Sequence, residues 1–299
     1  MTAEPRGFVD DRAEHDRFAT VRGLVVHYLD YDGPEPAIIL LHGLSANANE
    51  FGGLLDQGLA NAHRVIAPDL RGRGRSGKPR TGYSMQEHAE DVIALIDHLG
   101  QDKVVMGGHS FGALLSIYLA ANYPDRITRV IVIDAAIVFH PDTEELLKPS
   151  LARLARILPS ADAYIEEQKR APHLAHAWDG ALEGYYRAEL KHNSDGTAQS
   201  LTSAAAVEQA LRAVGVEDWA ELVGSVEHPV LLLNASGEYG PPGSPPLVPP
   251  EHARMTAAAF RNCTYVAVPG NHLTMVFGSN AGVVATEIEK FLSRDAQGE

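Results

Sequence analysis

VVMGGHSFGA, residues 104–113, is the most informative stretch of the sequence. It carries the pattern Gly-x-Ser-x-Gly, centred on Ser110, between an apolar run and a segment of helical pattern at 111–122. Such a strand-to-helix turn is so tight that side chains on either side of the serine would clash, so glycines flank it. The serine then projects its hydroxyl above the sheet edge, beside the positive end of the helix dipole. We therefore predict a nucleophilic serine at position 110.

Short apolar runs of the same kind recur on both sides of this stretch. They lie at 37–41, 65–67, 130–133, 230–233 and 265–268, and an alternating run spans Leu24–Tyr31. Their boundaries of Gly, Pro and Asp suit strands that are buried on both faces of a parallel sheet. Amphipathic stretches, such as residues 84–99, separate them. This alternation predicts an α/β fold, in which helices flank a mostly parallel sheet.

The alternation stops between residues 137 and 226. This stretch is helical in pattern, shows no strand-like run and holds both tryptophans. A helical block inserted between two strands, at the carboxyl edge of a sheet, would lie above the ligand crevice. We therefore predict that residues 137–226 form a helical lid (cap) on a core made of residues 1–136 and 227–299. A separate helical domain with no part in binding is the alternative.

The predicted nucleophile needs a base and an oxyanion site. A serine hydroxyl is a weak nucleophile until a base removes its proton. His272 follows the last strand-like run directly, where a loop would carry it over the sheet edge toward Ser110. The oxyanion needs preorganised N–H donors. We predict the N–H of Phe111, the residue after the nucleophile, and that of Leu44, in the turn HGLS at 42–45.

Composition and charge limit the classes of partner. The chain has 299 residues, of which 45% are hydrophobic and 21% charged, as in an ordinary globular protein with a sizeable core. Its net charge of −14 would be repelled by phosphate backbones and anionic lipids, so we expect neither nucleic acid nor a membrane as partner. The single cysteine, Cys263, excludes an intrachain disulfide and a cysteine-based zinc site, and we expect no metal.

Targeting signals are absent from the sequence pattern. The first 18 residues lack the apolar segment of a secretory signal, and no apolar run approaches the roughly 20 residues of a spanning helix. We therefore expect a soluble, cytoplasmic protein. Its oligomeric state is open, and a homodimer is among the alternatives.

The chain resembles the α/β-hydrolase superfamily from about residue 16 to residue 292. The resemblance rests on HG at 42–43, DLRGRGRS at 69–76, GHSFG at 108–112 and GNH at 270–272. It implies an eight-stranded, mostly parallel sheet, a triad in the order Ser, acid, His along the chain, and no cofactor. In that family the loop equivalent to 69–76 is a structural marker.

The acid that would orient His272 has two candidates. Most members of the superfamily place an Asp in a Gly-x-x-Asp turn after the seventh strand, where this chain has Glu238 in the Pro-rich segment 234–250. Some place it after the sixth strand, where this chain has Asp134, 24 residues past Ser110. Asp keeps the short reach usual for this role, and the later turn lacks its Asp. We therefore prefer Asp134, with Glu238 as the alternative.

The resemblance also sorts the reactions. Haloalkane dehalogenases and epoxide hydrolases of this fold use Asp at the position of Ser110. Carbon–carbon bond hydrolases usually carry an aromatic residue soon after the catalytic histidine, where this chain reads LTM at 273–275. We therefore predict a carboxylesterase- or lactonase-type serine hydrolase that acts on a small-molecule ester or lactone through an acyl-enzyme. A thioesterase, a carbon–carbon bond hydrolase and a small-ligand receptor on this fold are the alternatives.

Six aromatic residues in or near the predicted lid bear on the substrate. They are Phe139, Trp178, Tyr185, Tyr186, Trp219 and Phe277. Aromatic rings at the mouth of a site favour an apolar acyl or aromatic group, but each of these rings could instead be core of the lid.

Overall fold

The computed structural model describes residues 12–141, 143–174 and 176–293. The predicted core therefore extends at both ends into residues, 1–11 and 294–299, that lie outside the described ranges, as does most of the segment examined for a secretory signal. The strands, in chain order, are β1 (Asp16–Val21), β2 (Leu24–Tyr31), β3 (Ile38–Leu41), β4 (Val65–Pro68), β5 (Val104–His109), β6 (Ile127–Ile133), β7 (Ile157–Leu158), β8 (Leu190–His192), β9 (Ala198–Ser200), β10 (Val230–Ala235) and β11 (Cys263–Val268).

The α-helices alternate with these strands along most of the chain. They are α1 (Gly52–Asp56), α2 (Leu59–Ala62), α3 (Met85–His98), α4 (Phe111–Asn122), α5 (Thr143–Ala152), α6 (Ala161–Lys169), α7 (Gly180–Ala188), α8 (Ala204–Val214), α9 (Trp219–Ser225), α10 (Pro250–Ala259) and α11 (Gly278–Leu292). None of the helices in the described ranges is long and apolar enough to cross a membrane.

One sheet of eight strands organises the molecule, in the spatial order β1-β2-β4-β3-β5-β6-β10-β11. Strands β1 and β2 pair antiparallel at one edge, β2 pairs antiparallel with β4, and all later pairings are parallel. The predicted α/β-hydrolase fold, with an eight-stranded, mostly parallel sheet flanked by helices, is confirmed. The carboxyl ends of β3, β5, β6 and β10 meet at one edge, where the site residues lie.

The two faces of the sheet carry separate apolar clusters. Along β3, Ile39 and Leu41 pack into the cluster that contains the apolar faces of α3 and α4. Ile38 and Leu40 pack into the opposite cluster, which contains the buried side of α11. Burial on both faces explains why this strand is a continuous apolar run in the sequence, without polar alternation.

The insertion between β6 and β10 is not wholly helical, so the prediction that it has no strands was wrong. Alongside α5 to α9, it contains a small antiparallel sheet in the order β7-β9-β8. These strands are two or three residues long, too short for a period of two to appear in the sequence. Whether residues 137–226 act as a lid stays a prediction.

Candidate active site

Ser110 lies in a strained turn between β5 and α4. Its backbone has φ 54° and ψ −116°, and its N–H donates to the carbonyl of Ile133 over 2.9 Å. A Cβ atom on Gly112 would come within 1.8 Å of the carbonyl oxygen of Leu41, and one on Gly108 within 2.3 Å of the backbone of Gly112. The two glycines of the motif are therefore required by the close approach of neighbouring backbone, and the turn holds the serine in a conformation that few residues adopt.

Three side chains from different strand ends form a continuous chain of contacts. The Oγ atom of Ser110 lies 3.0 Å from Nε2 of His272, and Nδ1 of His272 lies 2.7 Å from Oδ2 of Asp134. The second carboxylate oxygen of Asp134 accepts the side-chain amide of Asn234 over 2.8 Å and the N–H of Ala235 over 2.9 Å. Asp134 is 1% exposed, so hydrogen bonds to both oxygens offset the cost of its burial.

Glu238 lies elsewhere. Its side chain is exposed, and its Oε2 atom accepts the N–H of Gly243 within the Pro-rich loop. The strand that would have carried the alternative acid, β10, instead supplies Asn234, which fixes Asp134. Of the two candidate acids, the structure thus brings Asp134 to the His272 ring.

The surroundings of His272 favour its neutral form. The pKa of His272 lies below its usual value because burial disfavours the charged ring and because the neighbouring His109 repels it, although Asp134 acts in the opposite direction. The preceding Asn271 holds the loop, since its Oδ1 accepts the N–H groups of Leu273 and Thr274. With Nδ1–H donated to Asp134, the Nε2 atom is left as a hydrogen-bond acceptor facing the hydroxyl of Ser110.

The predicted oxyanion donors lie beside Ser110. Leu44 and Phe111 line the same cavity as Ser110, and within the described ranges neither backbone N–H donates a hydrogen bond. The turn that carries Leu44 is held by His42, whose Nδ1 donates to the carbonyl of Gly43 while its Nε2 accepts the N–H of Leu70. Unpaired N–H groups on a rigid turn are suited to a developing oxyanion.

Arg73 contacts both residues that carry these N–H groups, Leu44 and Phe111. It is fully buried, its Nε donates to the carbonyl of Leu44 over 3.0 Å, and its guanidinium lies 5.3 Å from the centre of the Phe111 ring. Burial lowers the pKa of Arg73 to about 9. This arginine belongs to the loop 69–76 that the resemblance treats as structural, and it also contacts the carbonyl of Arg71 and the Nε2 atom of His88.

A buried pair that the sequence analysis does not identify, His109 and Glu50, lies next to His272. His109 and Glu50 are each 2% exposed, with Nδ1 of His109 3.1 Å from Oε1 of Glu50. Glu50 also accepts the N–H of Gly43, and Nε2 of His109 donates to the carbonyl of His272 over 2.7 Å. Burial alone would lower the pKa of His109, but the charge and hydrogen bond of Glu50 raise it above the usual value. Glu50 carries no sequence signal, since it follows no strand and matches no motif.

The cavity at Ser110 has two lobes, which share Leu44, Ser110, Leu147 and His272. The apolar lobe has a volume of about 360 Å³ and is walled by the side chains of Leu114, Val138, Phe139, Leu211, Val214, Leu247 and Val248, among others. The polar lobe has a volume of about 330 Å³, and its wall includes Arg153, Gln168, His173, Tyr185, Tyr186 and Tyr239. Both lobes open on Ser110, so one ligand bound there could extend into both.

The six aromatic residues divide between these lobes and the core. Phe139 lines the apolar lobe, whereas Tyr185 and Tyr186 line the polar lobe. Trp219 is buried, with its indole N–H donated to the carbonyl of Val214, and Phe277 is buried against Tyr185. The remaining Trp178 stacks on Tyr186. Tyr185 and Tyr186, whose rings the sequence assigns to an apolar surface, therefore line the polar lobe instead.

A family model described as the alpha/beta hydrolase fold matches residues 36–279. The chain belongs to the α/β-hydrolase family. Among curated relatives, 2-(acetamidomethylene)succinate hydrolase from Mesorhizobium japonicum is 30% identical over 205 residues, which are 67% of this chain and 70% of the relative. A soluble epoxide hydrolase from a Corynebacterium species is 38% identical over 116 residues, only 39% of this chain and 40% of that protein.

Solved structures show the same fold. The crystal structure of E-2-(acetamidomethylene)succinate hydrolase superposes with a TM-score of 0.79 at 24% identity, over 93% of this chain and 98% of that one. The enol-lactonase from Burkholderia xenovorans superposes with a TM-score of 0.70 at 22% identity, over 93% of this chain and all of that one, 100%. At these identities the two solved structures show the shared fold alone.

Proposed function

We propose that this chain is a serine hydrolase that cleaves a carboxylic ester or lactone through an acyl-enzyme intermediate. The observation that carries the proposal is the line of contacts from Ser110 Oγ through the His272 ring to Asp134, at 3.0 and 2.7 Å. A nucleophile in contact with a base, and a base in contact with an acid, is the arrangement that activates a hydroxyl.

In the first half of the proposed reaction, Ser110 Oγ attacks the substrate carbonyl while His272 Nε2 takes its proton. Asp134 stabilises the imidazolium that forms and keeps Nδ1 protonated. The N–H groups of Leu44 and Phe111 bind the oxyanion of the tetrahedral intermediate. His272 then gives its proton to the departing alcohol oxygen, and the acyl group stays on Ser110.

In the second half, His272 takes a proton from water as the water oxygen attacks the acyl carbonyl. The tetrahedral intermediate collapses, His272 returns its proton to Ser110 Oγ, and the carboxylic acid leaves. In a lactone the alcohol remains tethered to the acyl group, so the same steps release one hydroxy acid. Each proton transfer uses the Nε2 atom that contacts Ser110.

The insertion, in this proposal, is a lid that completes the substrate cavity. Leu147 on α5 lines both lobes, Leu211 and Val214 on α8 line the apolar lobe, and Arg153 after α5 lines the polar lobe. The core supplies the reacting groups, and the insertion supplies much of the wall. The insertion would therefore set the substrate range.

A substrate panel tests this proposal. We expect hydrolysis of p-nitrophenyl esters of increasing chain length or of simple lactones, with a burst of p-nitrophenol when deacylation is slow. A thioester is included because a thioesterase is among the alternatives, and an acetamide because the Mesorhizobium relative is named for an acetamidomethylene compound. Turnover of carbon–carbon bonds alone, or ligand binding without any turnover, would contradict the proposal and favour a carbon–carbon bond hydrolase or a receptor.

A further inference from the structure

We propose that the polar lobe is a carboxylate subsite, in which Arg153 binds a carboxylate of the substrate some bonds away from the cleaved carbonyl. This inference rests on the proposed function and adds to it the substrate class: an ester or lactone that has an anionic group on one side of the reacting centre and an apolar group on the other.

Arg153 is held in the wall of the lobe, with hydrogen-bonding capacity to spare. Its guanidinium has five N–H donors. One terminal nitrogen donates to the carbonyl of Ser150 over 2.8 Å, and the other to Oε2 of Glu189 over 3.0 Å. The contacts to Ser45 are long, at 3.4 and 3.5 Å, and the Nε atom is buried without a partner. The protein therefore fixes the group in place without using all of its donors.

Glu189 acts as the anchor of Arg153 from outside the lobe. It is 3% exposed at the side chain, pairs with Arg153, and accepts the hydroxyl of Tyr164 over 2.7 Å. A guanidinium braced in this way loses little conformational freedom on binding a ligand. The long contacts to Ser45, the neighbour of Leu44, place Arg153 beside the predicted oxyanion turn, in the lobe that opens on Ser110.

The other groups of the lobe are suited to an acceptor-rich ligand. In the described ranges, the hydroxyls of Tyr185 and Tyr186 form no hydrogen bond, and both side chains line the lobe with Arg153. The two carboxylates that line it are already paired, Glu50 with His109 and Glu167 with Arg156. Donors are therefore in excess, and a carboxylate accepts hydrogen bonds at both of its oxygens.

The facing lobe limits the rest of the substrate. Most of its lining is aliphatic or aromatic and no Lys or Arg of the described ranges lines it, so a second anionic group there would lose hydration without gaining an ion pair with Lys or Arg. The two lobes together favour a substrate with one anionic end and one apolar end, oriented by Arg153 relative to Ser110. Such orientation also explains how a single nucleophile could distinguish an acid ester from its neutral analogue.

The test uses matched pairs of substrates made from succinate, glutarate and adipate. In each pair, one member is the monophenyl ester with a free carboxylate, and the other is the same phenyl ester with that carboxylate converted to a neutral methyl ester. Phenol release gives kcat/KM for both members of a pair. In the parent enzyme we expect the carboxylate form of at least one pair to be preferred by at least about tenfold, the size of a hydrogen bond to a charged group. In Arg153→Met we expect that ratio to fall at least about tenfold, mostly through KM.

Two further variants separate binding from folding. Arg153→Met leaves Glu189 buried without its partner, which destabilises a fold. The double variant Arg153→Met, Glu189→Gln removes both charges and keeps an acceptor for Tyr164, so it should fold and show the same loss of preference. The control is Arg187→Met, which removes an arginine paired with Glu183 outside both lobes and should keep the parental ratio.

Glutarate binding to the parent protein, measured by calorimetry, makes the subsite testable without catalysis. We expect binding that weakens with added salt and is lost in the double variant. If no ester is cleaved but glutarate binds in this way, the proposed function fails and the subsite stands. A parental preference near one in all three pairs, or a preference that survives in the double variant, would overturn the carboxylate subsite.

Discussion

The Nδ1 atom of His272 lies 2.7 Å from Oδ2 of Asp134, the residue that follows β6. The two residues are 138 positions apart in the chain. The other oxygen of Asp134 is held by Asn234 and Ala235 at the end of β10. Asp134 is therefore held by the neighbouring strand, and its hydrogen bond to Nδ1 favours one orientation of the His272 ring.

The first prediction separates the two candidate acids. Asp134→Asn should lower kcat on the order of 10³-fold or more, because an amide cannot stabilise the imidazolium and favours the wrong tautomer. Its effect on KM should be smaller. Glu238→Gln is the matched control, and we expect kcat within roughly tenfold of the parent, because Glu238 accepts only a loop N–H. Steady-state kinetics on folded protein, checked by circular dichroism, would contradict the assignment if the two effects were reversed.

The second prediction concerns the pH dependence of the parent enzyme. His272 must be neutral to act as base, and its surroundings lower its pKa. Activity is therefore present above the folded pKa and is lost as pH falls through it. We expect kcat/KM to rise with pH through an apparent pKa below the usual histidine value of about 6.5, and to level off above it. An acid limb centred well above that value would contradict the described environment of His272.

The third prediction tests the role of the buried pair behind the triad. The rings of His109 and His272 have centroids 4.5 Å apart, and the charge of His109 lowers the pKa of His272. Glu50 and Asp134, which also lie around His109, raise the pKa of His272. His109→Gln should therefore move the acid limb of kcat/KM to higher pH.

His63→Gln is the control for this shift, because His63 pairs with Glu289 and neither residue lines a lobe of the cavity. The two profiles are compared on the same ester. An acid limb that stays in place, or moves to lower pH, in His109→Gln would contradict the electrostatic role. A shift of equal size in His63→Gln would assign the effect to histidine loss in general.

The fourth prediction tests which lobe takes the apolar group. Val214, at the end of α8, lines the apolar lobe and is 7% exposed. Val214→Trp should fill much of this lobe and lower kcat/KM for a p-nitrophenyl octanoate by at least about tenfold relative to the acetate, since each buried methylene contributes about 0.8 kcal/mol. Val216→Trp, at an 81% exposed site nearby, should leave the ratio of the two esters unchanged. Equal ratios in all three proteins would contradict the assignment of the lobe.

Much of the architecture could be predicted because buried strands and the serine turn leave strong local patterns. The apolar runs became β2 to β6, β10 and β11, and the turn at Ser110 requires glycines for reasons that local backbone geometry explains. The edge strand β1 was not among the predicted runs. Its sequence, DRFATV, mixes charged and apolar residues, since one side of an edge strand faces solvent.

The contacts of the site were harder to predict because they join distant parts of the chain. Asp134 and Glu238 are both acidic residues that follow a strand, so the sequence pattern does not decide which of them contacts His272. The pairing of β6 with β10 decides it in the structure. Arg153, Glu50 and Tyr239 carry no motif. Their contacts depend on how the insertion and the loops fold, and hydrophobic periodicity does not predict such contacts.

Trapping of the acyl-enzyme on Ser110 tests the central claim most directly. The parent protein is mixed with a p-nitrophenyl ester, quenched in acid during the burst, digested and analysed by mass spectrometry. We predict the acyl mass on the peptide that contains Ser110, and, in Ser110→Ala, no adduct and a loss of activity on the order of 10⁴-fold or more. An adduct on another residue, or activity in Ser110→Ala within a few-fold of the parent, would contradict the account.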